Sequence, residues 1–479
     1  MGSLTNKTVS GVKWNAIATV FKIVVQIAQP AILTRMLEKS DFGIIAIATV
    51  VIGFTELFSD IGLTAALIHK QEINRKQYSS IFWANIMLSV AIFGIIWLIT
   101  PLVANYYHQP ILNRILPLLG LQIIISAFGR MFMTMKAKEL DFKFISITSV
   151  IGAVLGFLLS VILAWQNFGV YSLVFGQLFM YLVMQSAFTV AGMRRQRILF
   201  YFNYKEIKDF IRIGGYQLGS QILDYLTVKF DVFLIGRLFG MENLAVYSLA
   251  KEFITRPAIG FTTLVSSVAS AAFAKIQNDL SLIKEKYGEI MKLLMFIAFP
   301  IYMGFFLFAD PIVELLYDKG FSEVAVFIRI LTLTGIVNAI GSPVGIITIA
   351  LGKTNLGFRW TIVRILISVT AVAISSLFGF RAVGYSLIFV AILSFFLYWA
   401  MVLYPASGIT LKELTKMFDK EFYISLITSV PFLSLLFIPN ISLATYMFTA
   451  VIYAILYLSL QYRYNRTFIT KTLKLIFNR

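Results

Sequence analysis

The 479-residue chain has no cysteine and only two histidines. Without cysteine it forms no disulfide, thiolate metal site or thiol nucleophile. His69 and His108 fall in separate polar breaks, and two isolated imidazoles do not make a zinc site. Charge is scarce as well. Asp, Glu, Lys and Arg make up 13% of the residues, about half the share found in soluble domains. That is too little to give every helix of a soluble protein a polar face. The Gly-rich phosphate-binding pattern of nucleotide-driven machines is absent, and so is the HExxH zinc pattern. No long loop carries paired acids of the kind a polymerase or glycosyltransferase uses. No catalytic residue, metal site or cofactor is therefore expected.

What the chain has is apolar length. Hydrophobic residues make up 59% of it, and the mean hydropathy is +0.84. A bilayer core takes about 20 apolar residues per helix. On that template, spans are predicted at 14–36, 42–66, 79–104, 112–135, 143–165, 168–192, 210–238, 243–274, 288–309, 324–351, 357–378, 381–404, 421–438 and 441–462. The fold class expected is an all-α polytopic membrane protein of about fourteen transmembrane helices. The first apolar run, from Trp14 to Leu33, is too long for a signal-peptide core, contains Lys22 and lacks an Ala-x-Ala pattern. It reads as the first span.

Basic residues outnumber acidic ones, 41 to 23. In a soluble protein such a balance points to nucleic acid. Here most Lys and Arg sit in alternate breaks between spans, including Lys70, Arg75 and Lys76, then Arg194, Arg195 and Arg197, then Lys412, Lys416 and Lys420, and the tail from Arg463 to Arg479. The intervening breaks hold little beyond Arg35, Lys39, Arg114, Arg237, Lys319 and Arg381. By the positive-inside rule the rich breaks are cytoplasmic, so both termini lie inside and the number of spans is even. No nucleic-acid partner is expected.

The second set of six spans echoes the first. Gly169-Val170-Tyr171-Ser172-Leu173 matches Val383-Gly384-Tyr385-Ser386-Leu387 at the start of the sixth and twelfth spans. Arg35-Met36-Leu37 followed by Asp41-Phe42-Gly43 matches Arg237-Leu238-Phe239 followed by Asn243-Leu244-Ala245. Such a repeat predicts two pseudo-symmetric six-helix lobes, 1–200 and 201–410, with 411–479 adding two helices and a basic tail. The lobes of such a pair enclose a cavity suited to alternating access.

Charges inside the spans cost about 2.5–3.5 kcal/mol each on insertion scales and usually face a cavity or a partner. On that ground Lys22, Arg130, Lys251, Arg256 and Arg364 are candidate cations of a substrate cavity. Lys22 and Gln26 share a helical face with Asn15 and Gln29; Gln217, Gln221, Asp224 and Asp231 form a similar seam on the seventh span. Glu252 lies four residues before Arg256 and is placed to bridge it, so that pair reads equally well as internal. Glu56 and Asp60, four apart, have no cation in their own span. With Asp224 and Asp231 they are the candidate carriers of a coupling proton or sodium ion.

The stretches Gly11-Val12-Lys13-Trp14, Leu33-Thr34-Arg35-Met36-Leu37, Asp41-Phe42-Gly43 and Asp60-Ile61-Gly62-Leu63, with Tyr247-Ser248-Leu249-Ala250 and Pro257 further on, carry a family resemblance. The chain resembles Wzx-type polysaccharide flippases of the multidrug/oligosaccharidyl-lipid/polysaccharide exporter superfamily, in the colanic-acid and teichuronic-acid exporter branch. The resemblance implies two six-helix bundles plus two helices, and movement of an undecaprenyl-pyrophosphate-linked repeat unit across the bacterial cytoplasmic membrane. It implies membrane lipids and other polysaccharide-assembly proteins as neighbours, and function as a monomer. It supplies no universal catalytic signature. A multidrug antiporter and a peptidoglycan lipid-intermediate flippase share the architecture and stand as alternatives.

Overall fold

The computed structural model describes residues 2–59, 67, 73–195, 197–276, 279–343, 345, 347–348, 351–438, 441–466 and 468, without the side chains of 2–9, 12, 206–218, 220, 259, 261–272, 274–275 and 354. The described residues are overwhelmingly helical. In chain order the long helices are α1 (Gly2–Leu33), α2 (Lys39–Phe58), α3 (Arg75–Tyr107), α4 (Leu112–Lys138), α5 (Phe142–Trp165) and α6 (Val170–Arg195). Tyr204–Lys275 follows, interrupted at Gly240, whose φ of 83° breaks it into α7 before and α8 after. Then come α9 (Leu280–Leu307), α10 (Glu323–Gly341), α11 (Thr354–Ser376), α12 (Phe380–Tyr398), α13 (Asp419–Ser429) and α14 (Leu443–Tyr464).

Eleven described helices are long and apolar enough to cross a bilayer. The kinked Tyr204–Lys275 accounts for the seventh and eighth spans. The thirteenth is irregular: α13 has 11 residues and runs on into a 3₁₀ segment, Val430–Leu436, of 7. Pro431 has no N–H to continue the α ladder. The 3₁₀ form rises further per residue, so the two pieces together reach about 30 Å, the thickness of the hydrocarbon core.

Helix starts follow the local chemistry. Asn74 accepts the Gln77 N–H at 2.8 Å, and the Gln77 side chain accepts the Asn74 N–H in return. Asp141, Asp279 and Ser442 cap α5, α9 and α14, each side chain accepting one N–H of the first turn. Lysines close the end of the helical stretch that continues α12 through a π segment, Trp399–Leu403, and the short helix Tyr404–Ser407. Lys353 Nζ donates to the carbonyls of Pro405 and Ala406 at 3.1 and 2.9 Å, and Lys284 Nζ to that of Gly408 at 3.0 Å. Those carbonyls have no helical donor, and cations suit that pole of the dipole.

The faces are sorted unlike those of a soluble helix. On α3, Ser79, Ser80, Asn85, Ser89 and Thr100 are buried while Trp97 and Leu98 are 65% and 70% exposed. Lipid tails are as apolar as Leu, so hydrophobicity does not drive helices together and small or polar residues turn inward.

Two compact units emerge, Met1–Ser248 and Leu249–Arg479. In the first, α4 packs on α3 and α6, and α5 on α6 and α1. In the second, α10 packs on α9 and α12, and α11 on α12. The third–fourth, fourth–sixth and fifth–sixth pairings thus recur as ninth–tenth, tenth–twelfth and eleventh–twelfth. The sequence repeat is a packing repeat. α7 and the first turns of α8, to Ser248, belong to the first unit, docked on α2 at glycines. A Cβ on Gly43 would lie 2.0 Å from the Met241 carbonyl, and Tyr225 donates to the Val50 carbonyl at 2.9 Å beside Gly53.

The linker between α6 and α7 is strapped to α3. Trp83 Nε1 donates to the Leu199 carbonyl at 2.9 Å, Arg75 Nε to that of Arg197 at 2.8 Å, and Ser79 and Ser80 accept the N–H groups of Leu199 and Asn203. Phe200, 95% exposed, lies beside the Trp83 ring.

In the second unit α14 repairs a break in α9. Pro300 has no N–H for the Phe296 carbonyl, four residues back. Tyr457 Oη donates to that carbonyl at 2.7 Å, and Tyr453 Oη to the Pro300 carbonyl at 3.2 Å. The row continues at steps of four: Gln461 donates to Tyr457, and Asn465 to Gln461.

Candidate functional site

Among the described residues of the first unit, a chain of polar side chains links three helices. It begins on α2, where Glu56 Oε accepts Gln122 Nε2 of α4 at 3.1 Å. Gln122 Oε1 accepts Gln177 Nε2 of α6 at 2.8 Å, and Gln122 is only 3% exposed. About two turns further along α4, Arg130 donates to Ser59 Oγ, and Ser59 Oγ donates to the Glu56 carbonyl at 2.8 Å. Arg130 lies close enough to Glu56 to act on it electrostatically, as do the rings of Tyr181 and Tyr225. Three helices therefore converge on one carboxylate and one guanidinium.

The arrangement has a chemical logic. A carboxylate held by a single neutral amide keeps lone pairs for a proton or a small cation. The guanidinium keeps donors beyond the one engaged by Ser59, and its planar fork suits phosphate oxygens. The amide chain orients Glu56, because Gln122 donates to it through Nε2 while its own Oε1 is held by Gln177.

The other sequence candidates fall in several places. Asp60 lies outside the described residues, so the pairing of Glu56 with Asp60 is not described; so does the side chain of Gln217. Lys22 is half-buried on α1 and Gln26 exposed, while Gln29 reaches Ser160 Oγ of α5 at 3.5 Å. The seventh-span seam divides. Gln221 and Asp224 are exposed, whereas Asp231 is 7% exposed and accepts the Tyr247 hydroxyl across the Gly240 break. In the second unit Arg256 pairs with Glu252 at 2.9 Å, the internal bridge that their spacing allows. Lys251 is half-buried on the same helix, and Arg364 of α11 faces Tyr398 of α12, whose ring lies against Trp360.

Gln122, Gln177, Tyr181 and Ser59 were not singled out by sequence. The signal was present: Gln122 and Gln177 are lone amides in the middle of apolar runs. An amide there needs a partner almost as much as a charge does.

The family described as polysaccharide biosynthesis protein matches residues 32–326. The chain is 27% identical over 360 residues to the teichuronic acid biosynthesis protein TuaB of Bacillus subtilis (strain 168), covering 75% of this chain and 74% of that one. It is 24% identical over 429 residues to the lipopolysaccharide biosynthesis protein WzxC of Escherichia coli (strain K12), covering 89% and 87%. Among solved structures it superposes on the lipid II flippase MurJ in an inward closed conformation with a TM-score of 0.77, at 16% identity over 95% of this chain and 99% of that one. An inward-facing multidrug resistance transporter of the MATE family, in the MOP superfamily, follows at 0.66 and 15%, over 84% and 99%. At such identities these structures speak to the fold alone.

Proposed function

Because the chain belongs to the polysaccharide biosynthesis protein family, we propose that it is a flippase for lipid-linked oligosaccharides, working by alternating access. Its cargo is an undecaprenyl-pyrophosphate-linked repeat unit destined for a surface polysaccharide. It sits in the bacterial cytoplasmic membrane with both termini inside, acting as a monomer beside other polysaccharide-assembly proteins. The repeat assigns the moving lobes to 1–200 and 201–410, with 411–479 appended.

The observation that carries a transport reading is the Glu56–Gln122–Gln177 chain with Arg130 beside it. Ionisable groups inside an apolar bundle are expensive, and those kept there line cavities, pair with partners or mark the path of an ion or substrate. Lys22, Arg130, Lys251, Arg256 and Arg364 offer cations to the pyrophosphate and to acidic sugars. Glu56, with Asp60, Asp224 and Asp231, offers sites for a coupling proton or sodium ion, and Gln122 orients Glu56.

Reconstituted vesicles test this. Lipid-linked oligosaccharide translocated to the outside becomes accessible to an impermeant glycosidase. Parent protein is expected to expose it faster under an imposed proton or sodium gradient. Glu56→Gln keeps the bond from Gln122 but removes the charge, and is expected to bind cargo yet lose the gradient response. Movement of cationic dyes without movement of the saccharide would place the chain with the multidrug antiporters instead.

A further inference from the structure

Six charged side chains converge on a cavity of about 300 Å³ in the second unit: Glu289 and Lys292 from α9, Lys416 from the short helix Leu411–Lys416, and Asp419, Lys420 and Glu421 from the start of α13. Three are ammonium groups and three are carboxylates. The floor is built. Glu421 is 1% exposed, accepts Asn465 Nδ2 of α14 at 3.1 Å and lies 3.8 Å from Lys292 Nζ, which in turn stands over the Phe468 ring. The rim is open. The side chains of Lys416 and Lys420 are exposed, and their ammonium groups make no hydrogen bond or ion pair among the described residues. Asp419 gives one oxygen to the Lys420 N–H at 2.7 Å, and Glu289 holds Lys286 at 3.0 Å.

Directly beyond the cavity the outward face of α13 turns apolar, with Tyr423, Leu426, Ile427 and Val430 all exposed. A balanced set of charges above an apolar strip matches a molecule that is zwitterionic at one end and greasy at the other. We propose that this cavity binds the headgroup of a zwitterionic aminophospholipid, with the acyl chains along α13. The phosphate meets Lys416 and Lys420, and the primary ammonium meets Asp419 and the Glu289–Glu421 side of the cavity. An anionic glycerol headgroup satisfies the lysines but brings no donor cation to the carboxylates. A choline headgroup carries the charge but has no N–H to donate. The site is separate from the Glu56 cluster and independent of the transport reading.

Native mass spectrometry of the purified full-length protein tests it, with phosphatidylethanolamine, phosphatidylglycerol, phosphatidylcholine and soluble phosphoethanolamine added in turn. Phosphatidylethanolamine is expected to be retained over the other two lipids. Lys416→Gln/Lys420→Gln is expected to weaken its retention roughly tenfold, while Lys412→Gln, on the same short helix but away from the cavity, leaves it unchanged. Both ammonium groups are exposed and make no hydrogen bond among the described residues, so the double variant should keep the parent's melting temperature in lipid-free detergent. Equal retention of phosphatidylglycerol or phosphatidylcholine would overturn the proposal, as would a double variant that holds phosphatidylethanolamine like the parent. Binding of soluble phosphoethanolamine as tight as that of the lipid would overturn the role of α13.

Discussion

Gln122 is the residue on which the first unit's polar chain turns, because it is at once donor to Glu56 and acceptor from Gln177. Gln122→Leu keeps the bulk and removes both bonds, leaving a carboxylate and an amide without that partner. A loss of about 1–3 kcal/mol is expected, read as a lower melting temperature in detergent. Gln122→Glu should differ in kind, since it sets two carboxyls side by side and so favours their sharing a proton. At Arg130, Lys is expected to recover only part of the saccharide translocation lost in Arg130→Gln, because a point charge reaches Ser59 but does not reproduce the fork. Full recovery by Lys would show that charge alone matters there.

Asp141, between α4 and α5, gives a pH dependence whose sign is fixed. Partial burial raises its pKa, but the Lys136 bond at 2.9 Å, the Phe144 N–H and the Lys136 and Lys143 charges outweigh that and hold it below the ordinary value. A depressed pKa adds stability above the unfolded-state pKa of about 3.9, and that stability fades as pH falls through the folded value. Asp141→Asn retains a capping oxygen and loses only the charge. Its melting temperature should therefore fall slightly below the parent's at pH 7 and converge with it as the pH drops through the lowered folded-state value. Asp141→Ala loses the cap as well and should cost about 1 kcal/mol more.

At the scale of elements, close backbone approach decides where α7 and α8 meet α2. Gly43→Ala drives a methyl into the Met241 carbonyl and is expected to cost about 1–3 kcal/mol. Gly94→Ala, on α3 with nothing within 4 Å of the added carbon, is expected to be neutral or to stabilise by up to about 1 kcal/mol. Thermal unfolding of the two variants in one detergent checks the contrast. The α9–α14 contact allows a sharper test. Tyr457→Phe strands the Phe296 carbonyl and should destabilise, by about 0.6–1.7 kcal/mol on the scale of polar contacts in membranes. In a Pro300→Ala background the helix supplies its own donor, so the same substitution should cost less. Equal costs in both backgrounds would mean that the hydroxyl is not replacing the missing N–H.

For the whole molecule, the absence of cysteine makes topology directly measurable. With both termini inside, cysteines replacing Gln109 and Ser322 should react with an impermeant maleimide in intact cells, and one replacing Ser281 should not. The reverse pattern would invert the chain in the membrane. Spans and repeat were legible in the sequence because hydropathy averages over some twenty residues, and no single contact alters it. The thirteenth span is the exception in form: Pro431 and its 3₁₀ continuation are local events beneath such an average. The site was legible only at its charged members. Glu56 and Arg130 stand out singly, but their meeting depends on α2 and α4 packing, which no spacing within one helix encodes. Gln122 and Gln177 were hidden because amides are cheaper to bury than charges. Glu421 was hidden because it sits at the end of a span, where an acid is ordinarily solvated. Proximity also groups α7 with the first unit, whereas the repeat places it at the head of the second half.

The surrogate donor on α14 has a consequence for how the protein is made. The Phe296 carbonyl and the Tyr457 hydroxyl are 161 residues apart in the chain. At about 5–20 residues per second, the ribosome delivers the second roughly 8–30 s after the first. For that interval α9 waits in the membrane with a backbone group that its own helix does not satisfy. A nascent chain halted before α14 therefore carries a carbonyl in the bilayer that lacks the donor it has in the finished fold. Pro300 in this sense works as a clock: it leaves the Phe296 carbonyl without its donor until α14 arrives.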